Sequence, residues 1–164
     1  MKETKSEDPL SFAMRPYNAG DDAFLFELYC STRADEIAQM GWNDVQKDMF
    51  LRMQFHAQQQ PFRVYDDVSE HRIIMIDESR AGRILVFRLD DEIRLADIAL
   101  LPQYRNRGIG ASLIRNLQME AEGAGKLLSL HVAHNNPAQR LYQRLGFVNV
   151  NDGAAHIRME WKRD

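Results

Sequence analysis

The hydrophobic pattern of the chain divides it into a helical first third and a strand-rich remainder. Residues 12–15 form a predicted short strand, and residues 23–32 carry apolar side chains at the three- and four-residue intervals of a helix. A second helix is predicted between Asn43 and Pro61, because Asn43 followed by Gln46 has the spacing of a capping box and proline ends a helix. Four apolar side chains of this helix are expected to face the core: Val45, Met49, Phe50 and Met53.

Beyond residue 70 the apolar positions alternate or run together, as they do in strands. Three strands are predicted at residues 71–77, 83–89 and 92–101, joined by turn-like links at 79–82 and 90–91. The remaining predicted elements are a helix from Gly108 to about residue 122, a strand at 126–133, a helix from Asn136 to Gly146, and a hairpin of 147–150 and 156–161. The order is β-α-α-β-β-β-α-β-α-β-β, which is a mixed α/β (α+β) fold.

The 164 residues suit one domain, and 45% hydrophobic with 27% charged residues is an ordinary globular balance. Polar residues 1–10 are expected to form a disordered tail, so the predicted domain covers 11–164. The formal net charge of −3 argues against nucleic acid as a partner, since such binders usually carry a basic face. A single cysteine, no secretory leader and no apolar run of ~20 residues predict a cytoplasmic protein that does not span a membrane.

The first segment with chemical character is the link Arg105-Asn106-Arg107-Gly108-Ile109-Gly110-Ala111, between a predicted strand and a predicted helix. Free backbone N–H groups at a helix N-terminus attract anions, and the helix dipole adds to the attraction. The two glycines would let a phosphate approach the backbone, and the two arginines add positive charge. A plain tight turn is the alternative. The P-loop and dinucleotide fingerprints are both absent, because the residues that complete them are missing.

The second segment is a helix that begins at Asn136-Pro137-Ala138, carries Leu141-Tyr142 and ends at Leu145-Gly146-Phe147. Asparagine is a favoured N-cap, proline suits the first turn, and glycine is the usual left-handed C-cap. Taken alone, it is an amphipathic helix with its apolar side chains and the tyrosine packed inward. That interpretation does not explain why an anion-binding helix start, one apolar strand and a tyrosine-bearing helix follow one another.

From about residue 98 to residue 147 the chain resembles the cofactor-binding core of the GNAT superfamily of N-acetyltransferases. Arg105-x-x-Gly108-x-Gly110 is similar to its pyrophosphate motif, and the segment from Asn136 to Phe147 is similar to its later helix. The resemblance implies a central, mostly antiparallel twisted sheet whose middle strands splay apart. It also implies acetyl-CoA as co-substrate, with no metal.

The resemblance further implies a role for individual residues. Backbone groups of Ile98, Ala99 and Leu100 would bond the pantetheine arm of the cofactor and supply an oxyanion hole. Asn136 would bond the same arm, and Tyr142 would be the general acid toward the leaving thiolate. The implied cofactor-binding set is completed by Arg105, Asn106, Arg107, Gly108, Ile109, Gly110, Ala111 and Ala138.

The sequence leaves the identity of the general base open. An amine of pKa ~10.4 is mostly protonated at neutral pH, so a side chain or water must take its proton. The resemblance implies a base on one of the splayed strands, where His131 is the matching residue; a half-buried histidine with an ordinary hydrogen bond is the alternative. Asp97 is the second candidate, but strict alternation puts it on the face of Leu95 and Ala99. The resemblance implies that a base on this strand would lie on the opposite face. A carboxylate there needs a partner, and an arginine is expected.

The resemblance implies that the first two helices and their connection shape the acceptor pocket. Arg33, Glu36 and Trp42 lie in this region, and we interpret them as candidate substrate-binding residues, because a guanidinium holds a carboxylate and an acid holds an ammonium. A solvated, salt-bridged connection with a partly buried tryptophan is the alternative. The sequence leaves open whether the acceptor is a small-molecule or a protein amine, and whether the protein is a homodimer.

The predicted function is transfer of an acetyl group from acetyl-CoA to a primary amine, by direct attack in a ternary complex. A non-catalytic coenzyme A-binding sensor or interaction module is the alternative, and Tyr142 argues against it, because a pure binder needs no phenol at the sulfur. A site for small anions without coenzyme A is a third hypothesis.

Overall fold

The computed structural model describes residues 11–163, so the predicted tail at residues 1–10 lies outside the described residues. The predicted order of elements is confirmed. The strands are β1 Ala13–Pro16, β2 Ser69–Ile76, β3 Ser79–Arg88, β4 Glu92–Leu100, β5 Leu127–Ala133, β6 Val148–Asp152 and β7 His156–Trp161. The helices are α1 Asp22–Ala38, α2 Asp44–Gln59, α3 Ile109–Ala124 and α4 Gln139–Arg144.

The seven strands form one sheet in the order β1-β2-β3-β4-β5-β7-β6. Among these strands β4 and β5 pair in parallel, and the other neighbours are antiparallel, as predicted. The parallel pairing ends at Leu95 and Leu130, although β4 continues to Leu100 and β5 to Ala133. The two middle strands therefore separate beyond this point and leave a cleft in the sheet.

Each face of the sheet carries its own helices and its own core. α3 and α4 cover one face, where Ile114 and Leu128 are fully buried. α1 covers the other face, where Leu28 and Ile73 are buried in a smaller cluster that Phe55 of α2 also contacts. Successive β2 residues such as Ile73 and Ile74 belong to opposite cores, as the alternation of a strand requires.

A β-bulge at Ala96 reverses the alternation in the second half of β4. Leu85 of β3 pairs with Asp97 and its neighbour Val86 pairs with Leu95, so Ala96 is an extra residue without a partner. The prediction that Asp97 shares a face with Leu95 is therefore wrong. Leu95 is buried in the core under α3, whereas Asp97 lies on the α1 face.

Two predicted boundaries in the chain also differ from the structure. α1 continues six residues beyond the predicted end at Thr32, because Ile37 is buried and Gly41, with φ of 66°, provides the stop. The β2–β3 link is the two-residue turn Asp77-Glu78 rather than residues 79–82, and both turn residues have positive φ. That is the conformation of a tight hairpin turn.

The prediction for the inward side of α2 is wrong for three of its four residues, whereas the fourth, Phe50, is half-buried and packs against Trp42. Val45, Met49 and Met53 are 68%, 68% and 60% exposed. The helix instead contacts α1 through Phe55, whose ring lies 5.6 Å from that of Phe26. Both sides of α2 carry apolar residues, so its spacing alone cannot select the side that packs.

Candidate active site

The link between β4 and α3 passes through two left-handed residues before the helix begins. Asn106 has φ of 60° and Gly108, the N-cap, has φ of 83°. The first helical amide to form a hydrogen bond is that of Ser112, which donates to the Gly108 carbonyl at 3.0 Å. Within residues 11–163 the amides of residues 109–111 therefore have no acceptor, and they lie at the positive end of the helix dipole, an arrangement that binds phosphate.

Gly110 has room for a side chain within the protein. A Cβ added there would lie 3.7 Å from Cδ2 of Leu141, which is an ordinary van der Waals contact. Packing does not require glycine at this position, and the missing side chain keeps the first turn of α3 open to a ligand. The free amides and the open first turn together fit a pyrophosphate.

The two arginines of the link differ in their surroundings. The Arg105 guanidinium donates to the Leu100 carbonyl at 2.9 Å and to Oγ of Ser31 at 3.2 Å. It therefore ties the link to the end of β4 and to α1. Arg107 is exposed beside the helix start. Of the two, Arg107 is the one free to approach a bound phosphate.

The free edge of β4 begins where its pairing with β5 ends. Ile98 and Ala99 remain paired with β3 on the other side of the strand, and the described residues provide no strand partner on the side of the cleft. Backbone N–H and C=O groups on such an edge can bond an extended ligand. Gly82 of β3 keeps the two strands close, because an added Cβ would lie 2.1 Å from the Ala99 carbonyl oxygen.

Tyr142 lies on α4, and its side chain is 7% exposed. Its ring packs against Phe147, with centroids 5.9 Å apart. Burial, and to a lesser degree the negative charge of Asp97, raises the pKa of the Tyr142 hydroxyl to about 12. The phenol therefore stays protonated across the neutral range and can donate a hydrogen bond there.

The start of α4 differs from the prediction. The helix begins at Gln139 rather than next to Asn136, which lies in the turn before it. Oδ1 of Asn136 accepts a hydrogen bond from the Ala138 amide at 2.9 Å, so the asparagine caps this turn. Ala138 packs against the core under α3, and Gly146 ends the segment with φ of 91°, as predicted.

His131 is exposed on β5, directly opposite Arg158 of β7. Desolvation, followed by the positive charges of Arg158 and Arg94, lowers the pKa of the His131 imidazole. Glu92 acts in the opposite direction. The imidazole is therefore neutral at neutral pH, which is the form that accepts a proton.

Glu92 fixes the charged side chains near His131. It accepts hydrogen bonds from the Ser129 hydroxyl, from Nε of Arg94 at 3.1 Å and from Nη2 of Arg158 at 3.2 Å. Its side chain is 13% exposed, so these contacts are largely shielded from solvent. The positive charge of Arg158 is consequently held in place beside the imidazole.

The arginine partner expected for Asp97 is Arg83 of β3. Nε of Arg83 donates to Oδ2 of Asp97 at 2.6 Å, and its Nη1 donates to Oε1 of Gln59 at 3.4 Å. Arg83 is 4% exposed and Asp97 is 23% exposed. Arg83 was missed in the sequence, although a charged residue at the head of the apolar run Arg83–Leu89 was a visible signal.

A small cavity of about 30 Å³ adjoins this ion pair on the α1 face. Its walls come from α1, α2, β3 and β4, so it lies beside the splayed half of β4. Gln58, which the sequence did not single out, lines it, and Oε1 of Gln58 is buried without a hydrogen-bond partner among the residues that the structure describes. The other lining residues are Leu25, Leu28, Tyr29, Thr32, Arg83, Asp97 and Ala99.

The three candidate acceptor residues lie elsewhere on the helical layer. Arg33 and Glu36 form an exposed pair one helical turn apart, with 3.1 Å between Nη1 and Oε2. Trp42 packs edge-on against Phe50 in the connection to α2. None of the three lines the cavity beside Asp97, so the structure does not bring them together with the other candidates.

Two further findings concern metals and membranes. Residues 11–163 contain no group of three or more histidine, cysteine, aspartate or glutamate side chains that could hold a metal ion. Within the same residues, each helix lacks the length or the hydrophobicity that a membrane crossing requires.

The acetyltransferase (GNAT) domain family matches residues 65–149 of the chain. A protein of Bacillus subtilis (strain 168), provisionally assigned as a ribosomal protein bS18-alanine N-acetyltransferase, is 31% identical over 80 residues. This alignment covers 48% of the chain and 53% of the relative, so the chain spans about half the length of that curated protein.

Two solved structures share the fold. The PaiA N-acetyltransferase of Thermoplasma acidophilum in complex with coenzyme A has a TM-score of 0.71 and 18% identity. The comparison covers 94% of this chain and 100% of that chain. The ribosomal-protein-S18-alanine N-acetyltransferase of Escherichia coli has a TM-score of 0.61 and 20% identity, with 92% of both chains covered.

Proposed function

The chain belongs to the GNAT family of acetyltransferases, and from that premise we propose that it transfers an acetyl group from acetyl-CoA to a primary amine. One observation carries the proposal. It is the combination in one chain of a free β4 edge beyond Leu95, unpartnered amides at the start of α3 among the described residues, and a protonated Tyr142 phenol on which the Asp97 charge acts. The β4 edge would bond an extended arm, the α3 amides would bind a pyrophosphate, and the phenol would donate to a sulfur atom.

The cofactor would supply an activated acetyl thioester, and the chain would hold it. Amides of residues 109–111 would bind its pyrophosphate, with Gly110 giving the backbone access. Groups on the free edge of β4 at Ile98 and Ala99 would align the arm. A backbone N–H there would donate to the acetyl oxygen as negative charge develops, a contribution worth ~3 kcal/mol in comparable sites.

The pKa of Tyr142 limits how the phenol would act. Complete transfer of a proton from a group of pKa about 12 to a thiolate whose thiol has pKa ~8.5 would be uphill by ~5 kcal/mol. A hydrogen bond from the phenol to the sulfur does not carry this cost. We therefore assign Tyr142 the role of a donor that stabilises the departing thiolate, with the final proton coming from the solvent or the acceptor.

His131 is the preferred base for the acceptor amine. Its imidazole is exposed and neutral at neutral pH, whereas the Asp97 carboxylate is bound by Arg83 at 2.6 Å. An amine proton would pass to the imidazole directly or through one water molecule. Asp97 would then contact the acceptor without taking its proton.

We favour a protein amine as acceptor over a small-molecule amine. Support comes from two relatives that are named as alanine N-acetyltransferases of ribosomal protein S18. An α-amine at the start of a polypeptide would enter the cleft end-on, with the remaining peptide outside. A free small amine would need contacts on its other end as well.

Release of free thiol from acetyl-CoA tests the activity. We expect steady turnover with peptides that carry a free α-amine, and product masses raised by one acetyl group. Binding of acetyl-CoA, measured by calorimetry or thermal stabilisation, without turnover on any amine would support the sensor alternative. Absence of binding would contradict the proposed function.

Replacement of His131 tests the base. We expect His131→Gln to reduce kcat/KM at neutral pH by about 100-fold, in line with loss of a general base, and to remove the part of the acidic limb that imidazole protonation contributes, while the titration of the acceptor amine remains. Acetyl-CoA affinity should be unchanged. His134→Gln is the matched control, because His134 is an exposed histidine three residues further along. Equal activity of the two variants would exclude His131 as base.

A further inference from the structure

We propose that Asp97 and the cavity beside it form an acceptor subsite selective for an α-amine on a small first residue, such as glycine, alanine or serine. The inference rests on the proposed function and specifies its substrate. Asp97 would contact the incoming ammonium group, and the cavity would receive the side chain next to it. Asp97 is thus a positioning residue, while His131 takes the proton.

The Ala96 bulge gives Asp97 the required orientation. Leu95 and Leu130 are the last partners in the parallel pairing of β4 and β5. If the bulged residue Ala96 is not counted, the next residue is Asp97 on β4 and His131 on β5. Both therefore stand at the opening of the cleft on the same face of the sheet, on the side of α1.

Arg83 fixes one carboxylate oxygen of Asp97 and leaves the other available. Oδ2 accepts from the guanidinium at 2.6 Å, while Oδ1 receives no hydrogen bond from the residues that the structure describes. Burial of an ion pair contributes little net stability, because desolvation of the charges offsets their attraction. A largely buried guanidinium beside the cleft is therefore better explained by holding Asp97 for a cationic ligand.

The size of the cavity sets the limit on the neighbouring side chain. A volume of about 30 Å³ accommodates two or three water-sized groups, since one such group needs ~10–15 Å³. A methyl or hydroxymethyl group fits, and a leucine or phenylalanine side chain does not. Buried Leu25 and Leu28 form part of the wall and leave it little freedom to retreat.

Gln58 is the wall residue that can be changed with least damage. It is half-buried on α2, and its Oε1 already lacks a hydrogen-bond partner within the described residues. Gln58→Ala would enlarge the cavity without breaking an ion pair. Gln60→Ala is the matched control, because Gln60 is exposed at the end of the same helix and does not line the cavity.

The experiment compares one peptide with six different first residues: glycine, alanine, serine, valine, leucine and phenylalanine. Thiol release is measured at saturating acetyl-CoA, and an N-blocked peptide with a lysine side chain serves as a further acceptor. We expect kcat/KM for the three small residues to exceed that for leucine and phenylalanine by at least ~10-fold. Gln58→Ala should reduce the preference in kcat/KM for the small first residues over leucine ~10-fold, whereas Gln60→Ala should leave this preference as in the unmodified protein.

Asp97→Asn separates positioning from base catalysis. We expect its KM for the alanine peptide to rise ~10-fold, with kcat at saturating peptide within ~twofold and an unchanged pH profile. A lower kcat with unchanged KM would overturn the proposal. So would equal rates on all first residues, identical behaviour of the two glutamine variants, or preference for the lysine side chain.

A wrong proposed function would give results that differ from those of a wrong subsite. The chain would then bind no acetyl-CoA, or would release no thiol with any peptide or small amine, in the unmodified protein. Acetyl-CoA binding and turnover on some amine, combined with loss of the selectivity pattern, would refute the subsite alone.

Discussion

Arg83 and Asp97 are diagonal neighbours on β3 and β4, two register positions apart, and the bulge at Ala96 is what brings their side chains to the same face. Arg83 pairs with Ala99, and Asp97 pairs with Leu85. If β4 alternated regularly through Ala96, Asp97 would project into the apolar core under α3 and away from the guanidinium. The ion pair and the bulge therefore depend on each other.

Arg83→Met should lower the free energy of unfolding by ~3 kcal/mol at neutral pH, because the Asp97 carboxylate loses its buried partner. Urea denaturation measures the change. Arg52→Met is the control: the side chains of Arg52 and its partner Asp48 are 64% and 52% exposed, and the expected loss is below ~0.5 kcal/mol. Similar losses in both variants would contradict a structural role for the buried pair.

Tyr142→Phe should reduce kcat by ~10-fold or more and leave the affinity for acetyl-CoA unchanged, because the hydroxyl would act only on the departing sulfur. Since the pKa of Tyr142 is about 12, the hydroxyl should contribute no limb to the pH profile below pH ~10. Tyr17→Phe, with its hydroxyl bonded to Asp22 on the surface, is the control. Full activity of Tyr142→Phe would remove the phenol from the mechanism.

Two substitutions of Gly110 separate packing from ligand access. Gly110→Ala should fold as stably as the unmodified protein, since the added methyl group meets Leu141 at 3.7 Å. Gly110→Glu should weaken acetyl-CoA binding by at least ~100-fold, because its charged side chain would enter the space of the pyrophosphate. Calorimetric titration with acetyl-CoA gives the affinity. Gly123→Glu, at the open far end of α3, should bind normally, and equal affinity in both glutamate variants would refute the phosphate site.

The features that could be predicted from the sequence are those decided by neighbouring residues. Asn43 and Gln46 form both hydrogen bonds of the predicted capping box, at 2.9 and 3.1 Å. Gly146 adopts the left-handed conformation expected at the end of a helix, and Gly108 lies at the predicted start of one. Such signals lie within a few residues of each other, so the order of elements and the glycine-containing start of α3 could be recognised from the chain alone.

The features that escaped prediction depend on contacts between distant segments. The bulge at Ala96 is defined by its pairing with Leu85 and Val86, and no residue type within β4 announces it. The exposed side of α2 follows from the contact of Phe55 with Phe26, which the helix sequence does not contain. The pairing with β3 breaks the alternation at Ala96, and the packing of Phe55 selects one of the two apolar sides of α2, so in both cases a distant segment decides which side chains face inward.

His71 should make the folded protein less stable in mild acid. Its imidazole is partly buried on β2, stacks on Tyr17 with ring centroids 4.6 Å apart, and has no hydrogen-bond partner at Nε2 among the described residues. Burial, followed by the positive charge of Arg83, lowers the pKa of His71 to about 4, against an opposing effect of Asp97. An unfolded histidine has a pKa of ~6.5. Between these two values the unfolded chain binds more protons, so stability falls as the pH decreases from about 6.5 to 4.

The expected loss attributable to His71 is ~3 kcal/mol, measured by urea denaturation at several pH values between about 7 and 4.5. His71→Phe keeps an aromatic ring against Tyr17 and removes the titration, so its stability should depend less on pH. The contribution of His131, which has the same sign, is retained in both proteins. His56→Phe on α2 is the control, because His56 is exposed. If this control flattened the profile as much as His71→Phe does, burial of neutral His71 would not be the cause of the acid sensitivity.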